Sequence, residues 1–295
     1  MKPGLASLIA PKSVDDFLFS FKTNEPFVTH KSDDFALGQL KSLPFLSSLE
    51  TLINSWPFPI QAHLPDVRDE ASSIDTTAKD AKKLFDNGMG LLFNEAQNIS
   101  PLLQVWLGEI RNDLGVSGLT YGRCLIYATP DGKGTAPHFD QNINFVLQIH
   151  GTKKWKIAAN HEVRNPMTRH TMGQPIEPEM MSYMEAQMPT EMPEEAETFE
   201  LRPGSLLFVP RGCWHSTEAE GDALSLNFTF TAPTWVDLFL AALRSRLTTS
   251  PDWRETADMS VAKFDALLSN LVEDLPHWRA EDILSAMEPE KNHEF

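Results

Sequence analysis

The sequence predicts an α+β chain with a mainly β core, an antiparallel barrel or sandwich flanked by helical segments. Three observations carry this. From residue 119 onward come LTYGRCLIYATP, HFDQNINFVLQIHG, KKWKIAA, ETFELRPGSLLFVPRGCWHSTEA and DALSLNFTFTAP, rich in β-branched and aromatic residues and separated by Gly, Pro and Asp turns. No helical pattern interrupts them before about residue 175. Helical periodicity dominates before residue 119 and returns after residue 233.

The N-terminal elements follow in order. EPFVTH has the pattern of a strand, and ALGQLKSLPFLSSLETLINSW holds two short helical patterns, the second through Leu46, Leu49, Leu52 and Ile53. PFPIQAHLPD is a strand punctuated by prolines. The stretch from Thr76 predicts a helix that stops at Asn87-Gly88, then a short strand GLLF. SPLLQVWLGEIRNDL predicts an amphipathic helix with Ser100 as N-cap, Pro101 as first helical residue and Leu103, Val105, Trp106, Leu107 and Ile110 on its apolar side. Residues 160–198 form an insertion between strands. It carries Met180, Met181, Met184, Met188 and Met192, and EPEMMSYMEAQM is expected to be one helix. The acidic Glu191, Glu194, Glu195 and Glu197 are expected in a solvated loop. TWVDLFLAALRSRL, VAKFDALLSNLVEDL and EDILSAM supply the C-terminal helices. The division expected is 1–118, 119–232 and 233–295.

Composition bounds the function. The 295 residues carry a formal net charge of −16, which argues against non-specific binding to nucleic acid. That charge is compatible with a basic protein or peptide as substrate, and equally with plain solubility. No run of 18 apolar residues exists, so no membrane span is expected. The N-terminus does not have the pattern of a secretory signal. With Cys124 and Cys213 as the only cysteines, two reduced thiols and a cytoplasmic location are expected.

His138-Phe139-Asp140 and a distant His215, in FVPRGCWHS, are the candidate metal ligands. A non-haem iron(II) site uses two histidines and one carboxylate on one face of the metal and leaves three positions open. His-X-Asp on a strand sets both side chains on one side of the sheet, because the period is two. His-X-Asp alone is weak evidence. The segment around His215 strengthens it: a Pro203-Gly204 turn, a short apolar strand and a second tight turn that presents one histidine. Cys213 is read as a small buried apolar residue in preference to a soft ligand.

GTAPHFDQNINFVLQIHGTKKWKI, followed by PGSLLFVPRGCWH and SLNFTF, resembles the JmjC/cupin oxygenases, above all their ribosomal-protein hydroxylase and asparaginyl hydroxylase branches. The resemblance covers about residues 119–235. It implies a double-stranded β-helix (jelly roll) with N-terminal helices and a C-terminal helical dimerisation segment. It also implies Fe(II) held by His138, Asp140 and His215, with 2-oxoglutarate as cosubstrate. The far carboxylate of 2-oxoglutarate would pair with Lys153, a charge-assisted donor for a buried anion. This lysine is similar to that of the asparaginyl branch, where the ribosomal branch commonly has arginine. Thr135, Asn144, Asn227 and Tyr127 match further cosubstrate positions, with Tyr121 an alternative to Tyr127. Asn144 is taken to share a strand face with His138 and Asp140, Lys154 to point away from Lys153, and His150 to lie elsewhere. Trp155 and Trp214 are expected to be core packing.

The activity so implied is hydroxylation of an amino-acid side chain in a protein or peptide, with 2-oxoglutarate and O2 converted to succinate and CO2, by a homodimer. Two rivals are an oxidative N-demethylase with the same site and a non-catalytic cupin binding module. A cupin isomerase would show more histidines and a glutamate around the first motif.

Overall fold

A computed structural model describes residues 2–30, 35–63 and 73–287. The N-terminal part contains α1 (Leu5–Ile9), α2 (Val14–Thr23), β1 (Phe27–His30), α3 (Phe35–Lys41), α4 (Leu49–Ser55), β2 (Ile60–His63), β3 (Ser73–Thr76), α5 (Ala78–Asp86), β4 (Gly90–Phe93) and α6 (Pro101–Leu114). The strands β5 (Tyr121–Thr129), β6 (Gly134–Phe139), β7 (Ile143–Ala158), β8 (His170–Thr171), β9 (Glu197–Leu201), β10 (Ser205–Val209) and β11 (Trp214–Thr231) follow, with α7 (Pro178–Tyr183) between β8 and β9. The end of the chain forms α8 (Trp235–Leu247), α9 (Val261–Asp274) and α10 (Ala280–Met287). Residues 64–66 of the PFPIQAHLPD segment lie outside the described residues.

Two long strands build the jelly roll. The first halves of β7 and the second half of β11 pair with each other and with β10 and β5, in the order β1-β10-β7-β11-β5-β4-β2-β3. Their other halves pair again, now flanked by β9 and by β6 and β8. The change of partners coincides with an irregularity in the β7–β11 register between Glu220 and Leu224. Gly151 sits at this corner with φ +67°, and a Cβ there would lie 2.1 Å from the Asp222 carbonyl oxygen, so no other residue fits. The expected barrel-or-sandwich core is thus a double-layered jelly roll.

Both outer faces are covered. On the larger sheet α6 buries Leu103, Trp106, Leu107 and Ile110, with Trp106 against Phe228 at 6.3 Å between ring centroids. Pro101 opens α6 and Gly115, at φ +64°, closes it, as expected from the sequence. Two details differ. The Ser100 side chain makes no capping bond, and Val105 is 48% exposed, because the buried stripe runs through 103, 106, 107 and 110. Phe17 of α2 packs on Phe145 and Phe208 of the same sheet.

The smaller sheet is covered by the insertion. Phe139, Trp214, Val163, Met172 and Met180 form one buried cluster, with Met184, Met188 and Met192 packed against it. EPEMMSYMEAQM is not one helix: α7 ends at Tyr183, and Met184 is extended at φ −66°, ψ 142°. Tertiary packing of the methionines on Trp214 and Phe139 overrides their helical spacing. Leu46 likewise belongs to a short 3-10 turn, separated from α4 by its N-cap Ser48.

The chain divides into two compact units, one comprising residues up to Gly115 with Tyr121–Thr231, the other Val116–Thr120 with the residues from Ala232 onward. In the second, α8 begins with a capping box between Thr234 and Asp237, and Arg246 of α8 pairs with Asp274 of α9. Among the described residues no helix is long and apolar enough to cross a membrane.

Candidate metal centre and cosubstrate pocket

His138 lies near the end of β6 and His215 near the start of β11, and the two are paired in the antiparallel register. Asp140 follows one residue past the end of β6. Asp140 Oδ2 lies 3.7 Å from His215 Nε2 and 3.9 Å from His138 Nε2, and one ligand atom from each residue falls within 4.8 Å of the others. The three ligand atoms are therefore close enough to one another to share one ion.

Both imidazoles are already oriented. His138 Nδ1 donates to the Ala136 carbonyl at 2.7 Å, and His215 Nδ1 donates to the Cys213 carbonyl at 2.9 Å. This fixes the tautomer that leaves each Nε2 lone pair free toward the common point. Burial, then the neighbouring His138, holds the His215 pKa well below its ordinary value, so His215 stays the neutral ligand form. Trp155 stacks on His215 at 5.8 Å between centroids. It is therefore a wall of the pocket as well as a core residue.

The pocket runs from this triad between the two layers. Tyr127 and Thr129 of β5, Thr135 of β6, Asn144, Lys153 and Trp155 of β7, and Thr217, Ser225 and Asn227 of β11 line it. Most of these share a face by the two-residue period of their strand. Lys153 is 4% exposed; its Nζ donates to Thr129 Oγ1 at 3.1 Å, and no carboxylate pairs with it among the described residues. Burial lowers its pKa to about 8. Lys154 points outward and pairs with Glu220, as alternation requires. Asn227 Oδ1 is buried without a hydrogen-bond partner among the described residues, whereas Asn144 Oδ1 accepts from Thr229 Oγ1 at 2.6 Å. Thr135 Oγ1 lies 2.9 Å from Thr217 Oγ1.

All eight residues singled out in the sequence, His138, Asp140, His215, Lys153, Thr135, Asn144, Asn227 and Tyr127, line this pocket. The reason given for Asn144 is corrected. A turn at Gln141-Asn142 separates β6 from β7, so Asn144 stands on a different strand from His138 and reaches the pocket from β7. Tyr121 lies outside, exposed and bonded to Glu95. His150 faces the Leu46 carbonyl at 2.7 Å. Cys213 is buried beside Asn24, its thiol pushed up to about 12 by burial, and does not join the ligand cluster.

Sequence reasoning missed Thr129, Thr217, His63 and Arg169. Thr129 and Thr217 stand two residues beyond Tyr127 and His215 on their strands, so the period of two was an available signal. His63 lines the mouth from β2, with both ring nitrogens unpartnered among the described residues. Arg169 arrives from the insertion, and no local pattern marks it.

The donor set suits an octahedral iron-type ion with three open positions. The buried Lys153, without a carboxylate partner among the described residues, and the nearby Asn227 amide suit a small anion with further polar groups beside it.

A family model described as the JmjC domain matches residues 111–238. YxbC of Bacillus subtilis is 30% identical over 287 residues, covering 92% of this chain and 86% of that protein. The bifunctional lysine-specific demethylase and histidyl-hydroxylase NO66 of Drosophila persimilis is 27% identical over 253 residues; the match covers 78% of this chain and 32% of that protein, about a third of its length. Among solved structures, the Escherichia coli ribosomal oxygenase YcfD in complex with cobalt and 2-oxoglutarate superimposes with a TM-score of 0.55 at 17% identity, over 90% of this chain and 67% of that one. That likeness is one of fold. With the matched domain spanning β5 to β11, and a relative aligned over nearly the whole length, the chain belongs to the JmjC-domain family.

Proposed function

We propose that this protein is an Fe(II)- and 2-oxoglutarate-dependent dioxygenase that hydroxylates an amino-acid side chain in a protein or peptide. The observation that carries the reading is the coexistence, in one pocket, of a pre-oriented His138/Asp140/His215 triad and a buried lysine that no carboxylate of the described residues pairs with. His138, Asp140 and His215 would hold the iron. Lys153, with the Thr129 hydroxyl beside it, would hold the far carboxylate of 2-oxoglutarate, and Tyr127, Thr135, Asn144 and Asn227 would complete its cradle. Iron held there, with 2-oxoglutarate and O2, would supply the oxidising chemistry that hydroxylates a C–H bond as 2-oxoglutarate is converted to succinate and CO2.

This chain's own part is to bind, orient and exclude water. The carbonyls of Ala136 and Cys213 keep both imidazoles aimed. The buried floor of Phe139 and Trp214 removes solvent from behind the triad. His63 and Lys133 line the same pocket and are left for the substrate.

YcfD is named a ribosomal oxygenase and NO66 a histidyl-hydroxylase, which supports a protein substrate here. NO66 is also named a lysine-specific demethylase, so oxidative N-demethylation is the second reading. The test is mass spectrometry of candidate proteins from cells with the active enzyme or with Asp140→Ala. A gain of one oxygen that depends on Asp140 supports hydroxylation; loss of a methyl group supports the second reading; no Asp140-dependent change in any target contradicts both.

We further propose a homodimer through the C-terminal helices. Trp235, Val236, Phe239 and Leu240 of α8 and Val261, Phe264 and Val272 of α9 are exposed, more apolar surface than a lone helical hairpin ordinarily leaves in water.

A further inference from the structure

Arg169 immediately precedes β8, inside the insertion. β8 pairs with β6 through Phe139↔His170 and His138↔Thr171. One further step along this register sets Arg169 opposite Asp140, and its Nε lies 3.7 Å from Asp140 Oδ1. The other oxygen, Oδ2, is the one that faces His215 and His138. The two oxygens of one carboxylate are therefore divided, one toward the metal position and one toward the guanidinium.

We propose that Arg169 is a positioning residue that keeps Asp140 a one-oxygen ligand, an inference that rests on the reading of the triad as an iron(II) centre. Three protein donor atoms leave three of six positions open. 2-Oxoglutarate takes two and O2 needs the third. A carboxylate that swings in with both oxygens occupies one of these. An ion pair on Oδ1 opposes that swing, and arginine suits the task because its charge is fixed and its donors are planar. Arginine keeps its charge throughout the neutral pH range.

The backbone around Arg169 is held in place. Met172 N donates to the Pro137 carbonyl at 2.8 Å, and the Phe139, Trp214 and Met172 cluster backs β8. The insertion thus contributes to the site by delivering this side chain, in addition to covering the smaller sheet.

Cobalt(II) is the probe, because its visible spectrum reports coordination without turnover. Metal-free wild type, Arg169→Ala, Arg169→Lys and Asp140→Ala are titrated with Co(II), and then with 2-oxoglutarate. Arg169→Ala is expected to bind Co(II) with an altered spectrum before any cosubstrate is added, and to bind 2-oxoglutarate about tenfold or more weakly. Arg169→Lys keeps the charge and is expected to recover the wild-type spectrum. An Arg169→Ala protein with the wild-type Co(II) spectrum overturns the inference, even if its 2-oxoglutarate affinity falls, since that pattern means a direct cosubstrate contact. Wild type that binds Co(II) no better than Asp140→Ala overturns the metal-centre reading itself.

Discussion

Lys153 Nζ and Thr129 Oγ1 lie 3.1 Å apart on facing strands of the jelly roll, and this hydrogen bond is the lysine's one polar contact among the described residues. The lysine's pKa falls from 10.5 to about 8 through burial, so below about pH 8 the folded protein carries a charge that water would hold more cheaply. At pH 7 that cost is on the order of 3 kcal/mol. Because the folded pKa is depressed, the cost is fully present below about pH 8 and disappears as pH rises toward 10.5. Lys153→Met is therefore expected to stabilise the ligand-free protein at pH 7, by up to ~3 kcal/mol in urea unfolding. The same variant is expected to lose the stabilisation that 2-oxoglutarate confers on the wild type. A variant less stable than wild type would contradict this account of Lys153.

The same lysine makes cosubstrate affinity depend on pH. An anion bound to Lys153 favours its charged form, so binding takes up a proton above pH 8. Affinity for 2-oxoglutarate in the Co(II)-loaded protein is expected to be flat from pH 6.5 to 7.5. Above the lysine's pKa of about 8 it is expected to fall by about tenfold per pH unit. Calorimetry in two buffers of different ionisation enthalpy checks the proton uptake; a flat profile to pH 9.5 would remove Lys153 as the partner.

Gly134 is the closest approach in the site. A Cβ at this position would lie 1.7 Å from the Thr217 carbonyl oxygen, where β6 meets β11. Backbone cannot yield as a side-chain tip can. Gly134→Ala is expected to cost at least ~3 kcal/mol of stability and to push β6 away from β11, taking His138 with it. Thermal unfolding and Co(II) titration read the two effects separately. Unchanged values for both would show that the β6–β11 contact does not set the site.

The apolar faces of α8 and α9 lead to an oligomeric prediction. Leu240 is 55% exposed and Val272 is 65% exposed, so charging them should not disturb folding of the monomer. Light scattering is expected to give a dimer for the wild type and a monomer for the Leu240→Glu, Val272→Glu double variant. A monomeric wild type at micromolar concentration contradicts the dimer.

The site's centre was legible because strands declare themselves by alternation. His-X-Asp and the turn before His215 identify residues whose direction a two-residue period fixes, and the lysine pair resolves itself the same way, Lys153 inward and Lys154 outward. The departures lie where a turn interrupts the strand period or where tertiary packing decides. Asn144 reaches the pocket, but from β7, because a turn after Asp140 resets the count. The methionine run has helical spacing yet unwinds after Tyr183, since Met180, Met184, Met188 and Met192 all belong to or pack against the cluster that holds Trp214 and Phe139. Arg169 leaves no periodic trace; only the pairing of β8 with β6 brings it to Asp140.

The central claim is that the triad and Lys153 together form one cosubstrate site. Calorimetry of 2-oxoglutarate binding under anaerobic conditions, with and without Fe(II), tests it most directly on wild type, Asp140→Ala and Lys153→Met. The expected result is binding by wild type only when Fe(II) is present. That binding should be lost in Asp140→Ala and weakened by about a hundredfold in Lys153→Met, the loss of a charge-assisted contact of about 2–3 kcal/mol. Equal binding by all three proteins, or by wild type with and without iron, would contradict it.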